Sequence, residues 1–492
     1  MTDAPVAVTT AGRVRGRWRP AAGPAGGSSA AFLGIPFAQA PVGDLRFAAP
    51  VPPEPWPGVR DAVAFGPTAQ RGDPGVTLIP EPSIPGDATL NVNVFTPGDA
   101  AAHLPVLVYI HGGGFVGGSP ASPWYDGGAF VRDGVVTVTI SYRLGFDGFG
   151  WIDGVVQNRA VRDWLAALEW VRDNIAAFGG DPDDVTIAGQ SAGGAAVLTL
   201  LSLPAARGLF HRAWALSAPV SGIPADAARE RSAALAAAVG VAATREGFAS
   251  VPEERLLEKQ NNLTVGRQRG LERARATLLG GVPWGPVIDG DLIPRAPLEA
   301  IADGAGHDVP LVLGTTDDEF TMVTDGAQRA LRFVPASPAL SLLALDRRAR
   351  RAYLAANAEQ RRLGTAAMLG RYVTDRIFRS TVLRVLAARG AAATWVYRFA
   401  WPSPARRWAL HCLDVPFWFD CLDAPGVSAI AGDGPPQELA DALHGSAVSL
   451  IRTGEPGWPS WTDADRTTRV FGGPASAPEI EHDGYATVRA LV

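Results

Sequence analysis

The chain has 492 residues, 47% hydrophobic and 19% charged, a balance that excludes a disordered polypeptide. Its 44 basic and 49 acidic side chains leave a net charge of −5 with no long run of either sign, which argues against a nucleic-acid groove or an anionic-membrane patch. Two cysteines, Cys412 and Cys421, are too few for a disulfide framework or an all-cysteine zinc site.

Met1–Pro5 shows no basic segment leading into an apolar stretch, so no signal peptide is visible at the start. No run reaches the roughly 18 apolar residues that span a bilayer, and a soluble, cytoplasmic protein is the expectation. Residues 5–18 alternate apolar and polar around Gly12 and read as an opening hairpin. Ala21–Ala30, rich in Gly, Ala and Ser, reads as a loop tip. Leu104–Ile110 is an apolar run with glycines downstream, the composition of a strand buried on both faces, and Val135–Ile140 repeats it. From Trp164 to Phe178, Leu165, Leu168, Val171 and Ile175 stand at helical spacing, and Gly179-Gly180-Asp181-Pro182 is the stop signal. A short strand, Val185–Ala188, then leads into a small-residue helix, Ala192–Leu201.

That alternation predicts an α/β fold, a mostly parallel sheet with helices on both faces. Residues 224–280 and 338–392, rich in Ala, Leu, Arg and Glu, read as helical excursions, and the sheet resumes between them at Val309–Leu313. Ala393–Phe399 and Glu438–Thr453 add a strand and a helix. No internal repeat is present, and one domain over residues 1–492 is expected.

Two motifs carry chemistry. Gly189-Gln190-Ser191-Ala192-Gly193 fits G-x-S-x-G, a weak signal alone in a chain with 56 glycines. Its context strengthens it: a strand precedes and a helix follows, as a nucleophile elbow requires. The alternative is a strand-to-helix loop whose serine only caps the helix. His111-Gly112-Gly113-Gly114-Phe115 follows another buried-strand run, and three bare glycines leave backbone N–H groups free to meet a developing oxyanion. Otherwise it is a flexible turn.

With both motifs in hand, the chain resembles the type-B carboxylesterases, the α/β-hydrolase group that includes the cholinesterases and the bacterial para-nitrobenzyl esterases. Matching segments run along nearly its whole length: Phe32–Ala38, Pro41–Phe47, Asn93–Pro97, Tyr142–Gly145, Asn174–Pro182, Gly208–Ala213, Pro286–Gly290 and Arg452–Gly454. The resemblance implies that Ser191 is the nucleophile and that Gly113, Gly114 and Ala192 supply the oxyanion N–H groups. The residue after the nucleophile is also the donor that the elbow geometry requires.

A serine needs a histidine base, and the histidine a carboxylate; in this class the chain order is Ser, acid, His. His103 and His111 precede Ser191, His211 follows it too soon, and His444 falls in an amphipathic helix as a surface or packing residue. His411, in Ala409-Leu410-His411-Cys412-Leu413-Asp414, matches the family's catalytic-histidine segment. Spacing does not choose among the adjacent acids Asp317, Asp318 and Glu319; the family pattern implies Glu319.

The chain also departs from the family. Gln190 replaces the usual glutamate, Thr89 stands in place of the second cysteine of an early disulfide, and no tryptophan lies between Phe65 and Leu90. A choline-ester specialist is therefore not expected. Trp164 replaces a usual glutamine. The resemblance further implies two ion pairs, Arg46 with Asp87 and Arg143 with Asp163. Phe115, Gln190, Trp284, Phe417, Trp418 and Phe419 are candidate walls of an apolar pocket, each with core packing as the alternative.

The function expected is a serine carboxylesterase that hydrolyses hydrophobic carboxylic esters through an acyl-enzyme, with no cofactor and no metal. Its partner would be a small-molecule ester, with no nucleic acid and no membrane, and the protein a monomer or small homo-oligomer. The same triad would also suit aryl carbamates, amides or thioesters. A catalytically inactive binding protein on this fold fits less well, since all three triad positions are kept.

Overall fold

The computed structural model describes residues 4–20, 28–72, 78–98, 101–265, 281–474, 476 and 479–492. An eleven-stranded sheet runs through it in the spatial order Ile480–His482, Thr467–Phe471, Thr394–Phe399, Leu311–Thr316, Arg212–Leu216, Gly180–Gln190, Leu104–Ile110, Val136–Ile140, Asn91–Thr96, Ser28–Pro36, Arg17–Pro20. Every pairing from Thr467–Phe471 to Val136–Ile140 is parallel, and the flanking strands are antiparallel.

The central strands are apolar on both faces because helices cover both. Val106, Val108 and Ile110 pack into one core cluster, and Leu107 and Tyr109 into another on the opposite face. The long helix Arg159–Asn174 buries Leu165, Leu168 and Val171 and gives way to a 3₁₀ turn, Ile175–Phe178, that ends at a left-handed Gly179. The helix after the elbow is Ala192–Leu201, as its small residues predict, and every residue in it is buried.

The opening hairpin pairs Val6–Thr9 with Gly12–Arg15, but in a separate three-stranded sheet with Val59–Asp61. Of the expected loop tip at 21–30, residues 21–27 lie outside the described residues; Ser28–Ala30 belong instead to a strand, where Ala30 pairs with Trp18 and Thr96. Helices occupy the first excursion at Ala225–Val239, Arg245–Ala249 and Glu253–Val265; its remainder, 266–280, lies outside the described residues. The second excursion begins earlier than expected, with a 3₁₀ stretch at Thr321–Ala327 that leads into the helix Gln328–Leu331, and ends in a long helical stretch, Thr365–Arg389, broken by a π turn at Asp375–Arg379. No helix among the described residues is long and apolar enough to cross a membrane.

One expected ion pair forms and one does not. Arg143 meets Asp163 through two nitrogens, at 2.7 and 2.9 Å, with both side chains buried. Arg46 makes no ion pair with Asp87: its guanidinium meets Asp147 at 3.0 Å and the Val251 carbonyl at 3.1 Å. Asp147 lies in the first turn of the short helix Gly145–Phe149, less exposed than Asp87, so Arg46 closes that helix against the segment after Ala249 instead.

Candidate active site

Four parallel strands deliver the candidate residues from their C-terminal ends, the edge at which open α/β sheets bind ligands. Gly180–Gln190 ends at Ser191, Leu104–Ile110 at the glycine motif, Leu311–Thr316 at the acidic loop, and Thr394–Phe399 at the loop that holds His411.

Ser191 is held at φ 58°, ψ −119°, a region that side-chain-bearing residues seldom occupy. The strand and the helix leave no room to relax it: a Cβ on Gly193 would stand 2.0 Å from the Ile110 carbonyl oxygen. Facing the serine is the glycine run. A Cβ on Gly112 would lie 3.4 Å from that of Ser191, and Gly113, at φ +100°, has its carbonyl claimed by the N–H groups of Val116 and Gly117. Among the described residues no hydrogen bond uses the N–H of Gly113, Gly114 or Ala192, so these three donors are left unused.

The acidic loop sorts its three carboxylates. Asp317 pairs with Arg398 at 2.6 Å and with Arg379 at 3.2 Å. Asp318 meets Arg371 and accepts from Thr321 and Gln360. Only Glu319 turns to the histidine: its Oε2 lies 2.5 Å from His411 Nδ1, while its Oε1 accepts from the Thr316 N–H at 2.9 Å. Backbone bonds hold the two loops in register, from Asp318 N–H to Ala409 and from His411 N–H to Glu319.

His411 is packed between Phe320 and Phe378, each with its ring centroid 4.9 Å away. Phe378 is presented by the π turn, a feature that often marks functional sites. Burial disfavours charge on the imidazole, but the acidic groups beside it, Cys412 and Glu319, hold its pKa above the ordinary 6.5. Burial pushes the Cys412 thiol up as well. Its other nitrogen, Nε2, lies 3.2 Å from the Gln190 amide nitrogen. The hydroxyl of Ser191 makes no hydrogen bond to it in this arrangement.

Two further groups escaped the sequence reading. Asp414 is fully buried, with a hydrogen bond from the Tyr397 hydroxyl at 3.2 Å; burial and the nearby Glu319 push its carboxyl up to about 7. Its place three residues after His411 is the only sequence signal for it. Gln70 accepts from the Gly118 N–H at 2.6 Å and donates to the Glu81 carbonyl at 2.6 Å, clamping the far end of the glycine loop to a neighbouring segment. Nothing in its surroundings in the chain points to that role.

The aromatic candidates separate. Phe115 packs on Phe149 and Trp164, and Trp284 on Phe146, in the core cluster that also holds Ala192. Phe417, Trp418 and Phe419, expected as pocket walls, are core residues instead. The turn that follows His411 directs them under the sheet, where Trp418 meets Tyr109, Phe130 and Trp214, and Phe417 meets Phe399 and Trp401. His444 is buried as well, bridging the Trp418 carbonyl and Asp133 at 2.9 Å each, so it packs in the interior and not at the surface. Cys412 and Cys421 are both free thiols.

Comparison with known proteins is decisive at the level of family. The model of the carboxylesterase family matches residues 3–468. The chain belongs to the carboxylesterase family. It is 34% identical to the para-nitrobenzyl esterase of Bacillus subtilis (strain 168), over 89% of this chain and 90% of that one. It is also 34% identical to the phenmedipham hydrolase of Pseudarthrobacter oxydans, over 94% and 95% of the two chains. A solved PNB esterase structure superposes with a TM-score of 0.83 at 30% identity, covering 99% of each chain. A Geobacillus stearothermophilus carboxylesterase does so with a TM-score of 0.79 at 34% identity, again over 99% of each. The fold is thus that of the α/β-hydrolases, and the protein is a carboxylic ester hydrolase.

Proposed function

We propose that the protein hydrolyses hydrophobic carboxylic esters through a serine acyl-enzyme, working as one cytoplasmic domain over the whole chain, without metal or cofactor. Ser191 Oγ attacks the ester carbonyl while His411 Nε2 takes its proton; Gly113, Gly114 and Ala192 donate to the oxyanion. Collapse of the tetrahedral species expels the alcohol, protonated by His411. Water then attacks the acyl-serine, giving its proton to His411, and the acid leaves as Ser191 recovers its proton. Glu319 holds the imidazole with Nδ1 protonated and Nε2 free to act as base.

The observation that carries this reading is the 2.5 Å Glu319–His411 contact beside a strained serine and three unused N–H groups. A base that closes on its nucleophile only once substrate is bound is common in unliganded enzymes, and Gln190 holds Nε2 meanwhile. The test is a p-nitrophenyl ester series of increasing acyl length on wild type and on Ser191→Ala, with an organophosphate titration. Wild type should lose all activity at one equivalent of inhibitor, and Ser191→Ala should lose about a million-fold in kcat. Full activity after organophosphate treatment would exclude the serine mechanism.

A second reading extends the same triad to aryl carbamate, amide and thioester bonds. The match to a phenmedipham hydrolase supports including phenmedipham itself in the substrate series.

A further inference from the structure

The net charge of −5 hides a local excess of the opposite sign. Between Val323 and Leu363 stand eight arginines, Arg329, Arg332, Arg347, Arg348, Arg350, Arg351, Arg361 and Arg362, against the three acids Asp325, Asp346 and Glu359. Two of those acids are engaged locally: Asp325 accepts from Trp408, and Asp346 caps the helix Arg347–Ala356 by accepting from the N–H groups of Arg348 and Ala349. All the arginines but Arg350 are exposed, and none forms an ion pair among the described residues. Some exposed arginines elsewhere in the chain, such as Arg15, Arg172 and Arg295, pair with acids, and others, such as Arg13, Arg17 and Arg207, do not among the described residues; what sets this segment apart is eight arginines within about forty residues.

The same segment carries apolar side chains in solvent. Phe333 is 86% exposed, Leu342 60%, Val323 57% and Leu363 54%, four of the seven large apolar side chains more than half exposed among the described residues. The helices of this layer bury their inner faces on Thr365–Thr374, through Leu340, Leu343, Tyr353, Met368 and Leu369. In the helix Arg347–Ala356 only Tyr353 is buried, so Arg347, Arg348 and Arg351 lie on the outward face. Arg332 stacks over Phe333 at 5.1 Å, and Thr365 hydrogen-bonds the Val334 carbonyl, bringing Leu363 near that pair.

We propose that this layer is a docking surface for an anionic lipid bilayer. Unpaired arginines beside protruding Phe, Leu and Val are the combination that holds a protein on such a surface, charge toward headgroups and apolar groups toward acyl chains. A second copy of the chain is a poor occupant, because it would set one arginine cluster against another. A nucleic acid would engage the arginines but has no place for Leu342, Val323 and Leu363. The layer continues directly from the acidic loop, since Phe320 N–H bonds Thr374 and Thr324 bonds Ala366. Docking would therefore set the ester-hydrolysing edge of the sheet beside lipid and favour esters dissolved in it.

The test uses the full chain in co-sedimentation with vesicles of phosphatidylcholine alone and with about a quarter phosphatidylserine, at low and high salt. Binding should require phosphatidylserine and fall with salt. Each arginine at an anionic surface contributes roughly fivefold in partitioning, so Arg347→Glu/Arg348→Glu/Arg351→Glu should lose at least about a hundredfold. Phe333→Ser should weaken binding at both salt concentrations. Turnover of a soluble ester should be unchanged in all variants, which separates failure of docking from failure of the hydrolase. No binding to phosphatidylserine vesicles, equal binding to both vesicle types, or binding unchanged in the arginine variant would each overturn the proposal. Duplex DNA binding that is tighter than vesicle binding and indifferent to Phe333→Ser would replace lipid with a general polyanion and overturn it too.

Discussion

The amide nitrogen of Gln190 lies 3.2 Å from Nε2 of His411, the nitrogen that must receive the serine proton in the proposed mechanism. A neutral amide there competes for the base without charging it. Gln190→Glu would put a carboxylate against the same atom and favour the imidazolium. The wild-type pKa of His411 lies above 6.5, because Cys412 and Glu319 outweigh the opposing effect of burial. Since the base works only when neutral, kcat/KM should rise with pH through a midpoint alkaline of 6.5. In Gln190→Glu that midpoint should move further up, by about one pH unit, with little change on the alkaline plateau. Folding stability runs the opposite way with pH. The pairing of His411 stabilises the protein fully below about 6.5 and progressively less as pH rises through the folded-state pKa. A pH–rate profile with an unmoved acid limb would show that residue 190 does not sense the base.

Two of the three adjacent acids, Glu319 and Asp317, make separable predictions because the fold gives them different partners. Glu319→Gln should lower kcat by about ten-thousand-fold with a modest change in Tm, and should shift the acid limb to lower pH, because it removes the carboxylate that favours the imidazolium. Asp317→Ala should do the reverse. Burial works against its charge, but Arg398 and Arg379 override it and hold the carboxyl well below the usual range. Removing that carboxylate leaves two arginines, one fully buried, without it, a loss of about 3 kcal/mol in urea unfolding with the reaction kept within about tenfold. The Asp317 contribution is present above the ordinary aspartate pKa and is lost as pH falls. Equal loss of kcat in both variants would break the assignment of Glu319 as the sole orienting acid.

Much of this site was legible in the chain because its parts are local. A strand, G-x-S-x-G and a small-residue helix can be read within twenty residues, and Gly193 has to be glycine because the Ile110 carbonyl approaches it. Arg143 and Asp163 carried over as a pair because they lie only 20 residues apart, one in the loop before the helix Gly145–Phe149 and the other in the next helix, Arg159–Asn174. Arg46 did not, because its partner is chosen by how the first excursion lies over the helix Gly145–Phe149, a relationship between segments a hundred residues apart. Phe417–Phe419 were misplaced for a similar reason: nearness to His411 in sequence says nothing about which side of the sheet a turn will face. The choice of Glu319 over Asp317 and Asp318 also lay outside local pattern. It depends on arginines at 371, 379 and 398 that claim the other two.

Gln70 offers the sharpest check on the proposed oxyanion loop, because it touches neither the proposed triad nor the three unused N–H groups. Its amide holds Gly118, five residues beyond Gly113, to the carbonyl of Glu81 and the hydroxyl of Ser83. Gln70→Ala leaves a buried N–H at Gly118 without a partner, a cost of about 1–3 kcal/mol that should appear as a lowered Tm. The loop can recover that bond only by shifting, which would carry Gly113 and Gly114 off the position of the oxyanion. Losing one donor outright costs about a hundred- to a thousand-fold in rate, so misalignment should lower kcat by about ten- to a hundredfold. The loss should fall on kcat and leave KM within about threefold, because the donors meet charge that develops only in the transition state. A variant with lowered Tm but unchanged kcat would make the clamp purely structural, whereas a rise in KM alone would place Gln70 at the substrate-binding wall.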